Sequence, residues 1–156
     1  MLNQALDSGD SLPTPVAARA GESSRSATRT YGVCASGRSV VGYYAVAAGV
    51  VTVAGAPGQI RRNMPDPIPV AVLARLAVDR SWQGRGLGRA LVRDAARRVA
   101  TAAETIGIRG IVVHAISEEV REYYLSLGFD ASRHEPMTLM VTLQGVLAAL
   151  RSRSPG

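Results

Sequence analysis

Two short stretches of this sequence hold residue types and spacings that could do chemistry. The first is SWQGRGLG at residues 81–88, where Gly84, Gly86 and Gly88 alternate directly before a long amphipathic run. Glycine loses more backbone freedom on folding than any other residue, so three so close together need a compensating use. A strand that passes through a glycine turn into a helix exposes free N–H groups at the helix N-terminus. Those groups and the helix dipole attract phosphate. The competing use is a tight turn that lets strand and helix pack closely. The second stretch is EEVREYYLSLGF at residues 118–129. The phenol of Tyr124 can donate a proton or a hydrogen bond there, although Val120, Tyr123, Tyr124 and Leu127 also lie at helical spacing and so form a buried face. Tyr123 reads as a packing residue.

Other chemistries are excluded or weak. All 18 cations are arginine, and the formal net charge is +6. Without lysine there is no Walker A loop and no pyridoxal Schiff base. One cysteine, Cys34, and two histidines, His114 and His134, cannot assemble a standard Cys/His zinc site, so no metal is expected. The lone cysteine forms no internal disulfide and fits a reducing cytoplasm. Cys34 and His114 read as packed strand residues, and Trp82 as a staple between turn and sheet. Glu118, Glu119 and Glu122 read as a solvated, dipole-favourable first turn rather than a general base. With no basic n-region followed by an apolar h-region at residues 1–28, no signal peptide is expected. Residues 39–60 form a run of 22 without charge, but its glycines, proline and alanines favour a buried strand and turn over a membrane span.

The elements that must position these stretches follow from periodicity. Residues 1–28, rich in Ser, Gly, Pro and Ala, read as poorly ordered or atypical, with a short helix at 16–20. Residues 30–35 form a strand, 36–38 a hairpin turn and 40–53 a central strand. Residues 54–69, with four of the eight prolines, form a loop with at most one helical turn. A third strand covers 70–78. Leu91, Val92, Ala95, Ala96, Val99 and Ala103 then mark a helix that Gly107 ends. A strand at 108–116, a helix capped by Ser117 and running to Leu127, and a strand at 137–143 follow. A frayed tail starts at Arg151. The result is a mixed α/β sheet with a strand–glycine-turn–helix unit at its centre.

Gln83, Gly86 and Gly88 match Q-x-x-G-x-G, whereas the dinucleotide fingerprint G-x-G-x-x-G fails because Arg89 stands where its third glycine belongs. LARLAVDRSWQGRGLGRALVRDA resembles the acetyl-CoA-binding core of the GNAT acetyltransferases, in particular the TacT/AtaT-like toxin branch of bacterial toxin–antitoxin pairs. RTYGVCASGRSVVGYYAVAAG, EEVREYYLSLGF and EPMTLMV agree in the same order, so the resemblance spans roughly residues 27–143. It implies a GNAT fold of the α/β (α+β) class: a mixed, mostly antiparallel sheet flanked by helices, with acetyl-CoA in the splay between two central strands. The acetyltransferase domain is then 29–145, with a tail at 146–156. Leu76, Ala77 and Val78 would meet the pantetheine arm, and Gln83, Gly84, Arg85, Gly86, Leu87, Gly88 and Arg89 the pyrophosphate. Tyr124 would stand beside the sulfur.

Transfer to an amine needs a neutral nucleophile, a stabilised oxyanion and protonation of the thiolate. No carboxylate stands out as the base. An α-amine, with a pKa of about 7.7–8 against about 10.4 for lysine, depends less on one. Arg85, Arg89, Arg93 and Arg97 recur every four residues, although like charges at this spacing oppose one another by roughly 0.2–0.5 kcal/mol a pair. They read either as a phosphate-binding stripe or as a surface helix in an arginine-rich chain. Arg61, Arg62, Arg75 and Arg80 are expected to extend the same surface. The resemblance implies an aminoacyl-tRNA acceptor, blocked translation, a cognate ribbon-helix-helix antitoxin and a homodimer; among the arginines, Arg93, Arg97, Arg61 and Arg62 are the candidate tRNA contacts. An acetyltransferase for a protein N-terminus or a small amine, and a non-catalytic acyl-CoA- or RNA-binding module, are the alternatives.

Overall fold

A computed structural model describes residues 28–35 and 39–152. The helix expected at 16–20, the hairpin turn at 36–38, the opening segment up to 27 and the last four residues lie outside the described residues. Among the described residues, six strands form one sheet in the order β1-β2-β3-β4-β6-β5. They are β1 (Thr28–Ala35), β2 (Ser39–Val51), β3 (Ile68–Val78), β4 (Gly110–His114), β5 (Asp130–Ala131) and β6 (Thr138–Thr142). Only β3 and β4 pair in parallel; the other neighbours are antiparallel. This is the mixed, mostly antiparallel sheet expected above. The charge-free run supplies β2 and the turn after it. No helix among the described residues is long and apolar enough to cross a membrane.

Among the described residues, four α-helices cover the sheet: α1 (Gly58–Arg61), α2 (Leu87–Ala103), α3 (Glu118–Ser126) and α4 (Leu143–Ser152). Alternation along the strands divides the core in two. Ala71, Leu73, Ile111, Val113, Leu139 and Val141 pack with the apolar faces of α2, α3 and α4. Ile68, Val70, Val112 and Met140 pack with Ile60 of α1 on the opposite face. Residue Gly42 of β2 sets how closely α2 approaches. A Cβ there would meet Leu91 Cδ1 at 3.1 Å and Leu87 Cδ2 at 3.2 Å, so the first turns of α2 lie directly on the sheet.

Two elements depart from the sequence reading. Residues 146–156, read as a tail, begin inside α4, whose Val146 and Leu150 are fully buried. Leu143, Val146, Leu147 and Leu150 carry a helical period, but helix follows strand with no glycine or proline between them. The Thr142 hydroxyl marks the join by accepting the Gly145 N–H at 3.0 Å, an N-cap. The short edge strand β5 was unread because two residues carry no period. In addition, α2 ends at Ala103 and gives way to a turn before Gly107.

Candidate active site

The site is built where β3 and β4 part. Their ladder covers Ala71–Leu73 against Ile111–Val113; β3 then runs on to Val78, while β4 ends at His114. On its other side β3 stays paired with β2, Leu76 opposite Tyr44 and Val78 opposite Gly42. The Asp79 N–H donates to Val41 O at 2.8 Å, which fixes the phase of that ladder. Alternate residues of an antiparallel strand address the same partner, so Ala77 and Arg75 face β2. Leu76 and Val78 turn their peptide groups the other way, into the gap left by β4. The Gln83 Nε2 donates to Val78 O at 3.1 Å, tying the glycine turn to the end of this edge. An extended chain with amides of its own fits the edge by strand addition.

Beyond Val78, the Asp79 carboxylate accepts the Ser81 N–H at 3.1 Å and starts a 3₁₀ turn over Arg80–Trp82. Gly84 and Gly86 then adopt φ of 79° and 82°. These left-handed values exclude most side chains at low cost, which is the need that justifies two of the glycines. Gly86 caps α2 with no side-chain hydrogen bond, so the positive end of the helix faces the glycine turn. The third glycine differs: Gly88 is buried inside the first turn and serves packing. Arg85 lies over the Trp82 ring at 4.8 Å. Trp82 packs on the α2-side core, as a staple should.

Helix α3 starts just past the end of β4, capped by Ser117, whose hydroxyl accepts the Val120 N–H at 3.2 Å. Its second turn brings Tyr124 into the cluster that holds Leu76 and Val78. Tyr124 is 4% exposed and packs edge-on against Phe129 at 5.2 Å and Tyr123 at 5.3 Å. Burial pushes its phenol above the usual tyrosine range, and Tyr123 adds to the shift. Tyr124 is therefore a retained O–H donor near neutral pH. Leu76 and Val78 of the β3 edge, Leu87 just after the glycine turn, and Tyr124 thus belong to one buried cluster.

Residues 29–131 match the acetyltransferase (GNAT) domain family. The chain belongs to the GNAT acetyltransferases. It is 50% identical over 123 residues to a tRNA-acetylating toxin of Mycobacterium tuberculosis (strain ATCC 25618 / H37Rv), a match covering 79% of this chain and 74% of that one. Its fold resembles that of AtaT complexed with acetyl-methionyl-tRNAfMet, with a TM-score of 0.71, 32% identity and coverage of 77% of this chain and 74% of the other. It also resembles an AtaT variant with tyrosine replaced by phenylalanine, bound to the C-terminus of the antitoxin AtaR and acetyl-CoA. There the TM-score is 0.63, at 31% identity over 76% of this chain and 69% of that one.

On this GNAT frame the arginines do not form the single surface expected from sequence. Arg89 and Arg93 turn to the C-terminal end of α4, donating to Leu150 O at 2.8 and 3.4 Å. There they compensate its free carbonyls and dipole. Arg93 also lines a groove of about 370 Å³ with Arg97, Arg151, Leu147 and Leu150. Arg61 and Arg62 lie at the end of α1, on the other face of the sheet. Strand alternation puts Arg75 on that face too.

The sequence reading missed a polar relay at the end of β4. His114 is exposed, not packed, and its Nδ1 lies 3.0 Å from Thr138 Oγ1, across the β4–β6 ladder. The Thr138 hydroxyl donates to Glu135 Oε2, also at 3.0 Å. Nothing in the local sequence announces this; the 24-residue separation of His114 and Thr138 is closed only by strand pairing.

Proposed function

We propose that this chain acetylates the α-amine of aminoacyl-tRNA from acetyl-CoA and so acts as a toxin that blocks translation. The reading rests on one observation above the others. Residues of the β3 edge and Tyr124 share one core cluster beside a left-handed glycine turn, in a chain 50% identical over 123 residues to a tRNA-acetylating toxin. Acetyl-CoA supplies the activated acyl group. Leu76 and Val78 offer it strand-like peptide partners, and the amides around Gly84, Gly86, Leu87 and Arg89 meet its pyrophosphate. Gln83 holds that turn against β3, and Ala77 keeps the edge straight by pairing with β2. Arg85, stacked on Trp82, extends the positive rim.

Tyr124 donates a hydrogen bond to the departing sulfur. Its raised pKa means that the proton is retained in the resting enzyme and that full transfer to a thiolate is uphill. Stabilising the developing charge is therefore its main contribution, and solvent supplies the final proton. Arg93 and Arg97 meet phosphates along the α2–α4 groove, and Arg61 and Arg62 on the α1 side. Such binding is salt-sensitive and reads little sequence. The reaction takes place in the cytoplasm, where charged tRNA is found. A cognate antitoxin of ribbon-helix-helix type restrains the enzyme, which works as a homodimer.

The test is incubation with radiolabelled acetyl-CoA and total aminoacyl-tRNA, beside deacylated tRNA and a Tyr124→Phe variant. Label on charged tRNA alone, lost in the variant, is expected. Absence of label despite tight acetyl-CoA binding would overturn the acceptor.

A further inference from the structure

We propose that His114, held by Thr138 and Glu135, is the base that takes the proton from the acceptor amine. The inference rests on the acetyl-transfer reading above and supplies the group for which no carboxylate stood out.

The hydrogen bonds fix the tautomer. A threonine hydroxyl has one proton, and Thr138 Oγ1 donates it to Glu135 Oε2. Oγ1 can then only accept from the histidine, so Nδ1 carries the hydrogen and Nε2 keeps its lone pair. Positive charge gained at Nε2 is relayed through Thr138 towards the Glu135 carboxylate. The relay is well held: Thr138 is 7% exposed, the buried polar side chain of the described core, and its N–H donates to Glu135 O at 3.0 Å. His114 itself is exposed, so the imidazole can pass its proton to water.

The location fits the task. β4 ends at His114, one residue past its last pair with β3, so the ring stands at the mouth of the splay. Its side chain shares the sheet face of Val112 and Met140, since it pairs with Thr138, whereas Tyr124 belongs to the opposite face. An acyl group in the splay therefore meets a hydrogen-bond donor from one side and a base from the other. In the step, an amine N–H bond breaks and its proton goes to His114 Nε2. The nitrogen bonds to the carbonyl carbon, and the carbon–sulfur bond breaks with the electron pair leaving on sulfur. Tyr124 hydrogen-bonds that sulfur and solvent protonates it. Atoms and charge balance without an oxidant or a metal.

The experiment measures acetylation kinetics of the full chain with total aminoacyl-tRNA, and in parallel with a free peptide α-amine. His114→Gln is expected to lower kcat about a hundredfold. The KM for tRNA and the affinity for acetyl-CoA should stay within about twofold of the parent. Thr138→Val, which frees Nδ1 from its partner, should give a smaller loss in the same parameter. Added imidazole should partly restore a His114→Ala variant. A His114→Gln enzyme with unchanged kcat, or a loss confined to KM, would overturn the proposal.

The parent enzyme keeps the two readings apart. If it labels the peptide and not tRNA, the acceptor assignment fails while the histidine comparison proceeds on the peptide. If it labels neither, nitrogen NMR of the imidazole decides. A hydrogen on Nδ1 that is lost in Thr138→Val supports the relay, and a hydrogen on Nε2 refutes it.

Discussion

Strands β3 and β4 do different work at their two ends. At the closed end, Ala71–Leu73 and Ile111–Val113 pair in parallel, and Ala71, Leu73 and all three β4 residues are buried. At the open end, β3 keeps its pairing with β2 and turns the peptide groups of Leu76 and Val78 towards the lane that β4 has left. The change coincides with a register shift opposite Ala74, between Ala45 and Val46 of β2, and with the first exposed residues of β3, Ala74 and Arg75. A bulge of this kind bends and re-aims a strand without ending it. One strand can thus anchor the core with one half and present a binding edge with the other.

The contrast predicts that the closed end answers to stability and the open end to activity. The largest effect is expected from Gly110→Val. A Cβ there would sit 2.1 Å from Val141 O and 3.0 Å from Ile60 Cδ1, and the backbone oxygen cannot step aside. A loss of about 3 kcal/mol or more in urea unfolding is expected, and a parent-like midpoint would break the contrast. Next, Tyr124→Phe should reduce turnover by about a hundredfold or more while acetyl-CoA still binds and the melting temperature hardly moves. A collapse of stability instead would make Tyr124 a core residue only.

Smaller effects sharpen the picture. Gly86→Ala, forced to a φ of 82°, should cost about 1–2 kcal/mol of turn geometry. Calorimetric titration should show weaker acetyl-CoA binding, with kcat at saturation close to the parent. Arg97→Gln should lower the slope of log affinity for tRNA against log salt by about 0.7–0.9 if it meets one phosphate, and by nothing if it meets none.

The smallest effect is alkaline. Tyr124 and Tyr44 both have phenols raised by burial, and Tyr44 donates to Asp94 as well. Above the unfolded value of about 10 the unfolded chain releases phenol protons that the folded chain keeps. Stability from these groups is therefore complete below about pH 10 and falls as pH rises beyond it. Tyr44→Phe should flatten that fall in a series of unfolding curves.

Much of the site could be read from sequence because its signals are local. A glycine pair demanding left-handed φ, the capping Ser117, and apolar residues repeated every three or four positions each depend on a few neighbours. They marked the turn, α2 and α3 directly, whereas Tyr124 was singled out through the family resemblance. The charge-free run was legible as β2 for the same reason. The arginine stripe shows where this ends: a period of four places Arg89, Arg93 and Arg97 on one side of α2, but it cannot say that α4 brings Leu150 O to two of them from about sixty residues away.

The sequence by itself determined five of the six described strands, the helices α2 and α3, and the family. Tertiary structure alone decided which face each residue serves. It parted the cations between the α1 and α2 sides, opened the splay, and joined His114, Thr138 and Glu135. The reason is physical. Backbone preference and periodicity act over a turn or two of chain, whereas register and strand separation are set by pairing between distant segments, where one residue of slip exchanges the two faces of a sheet.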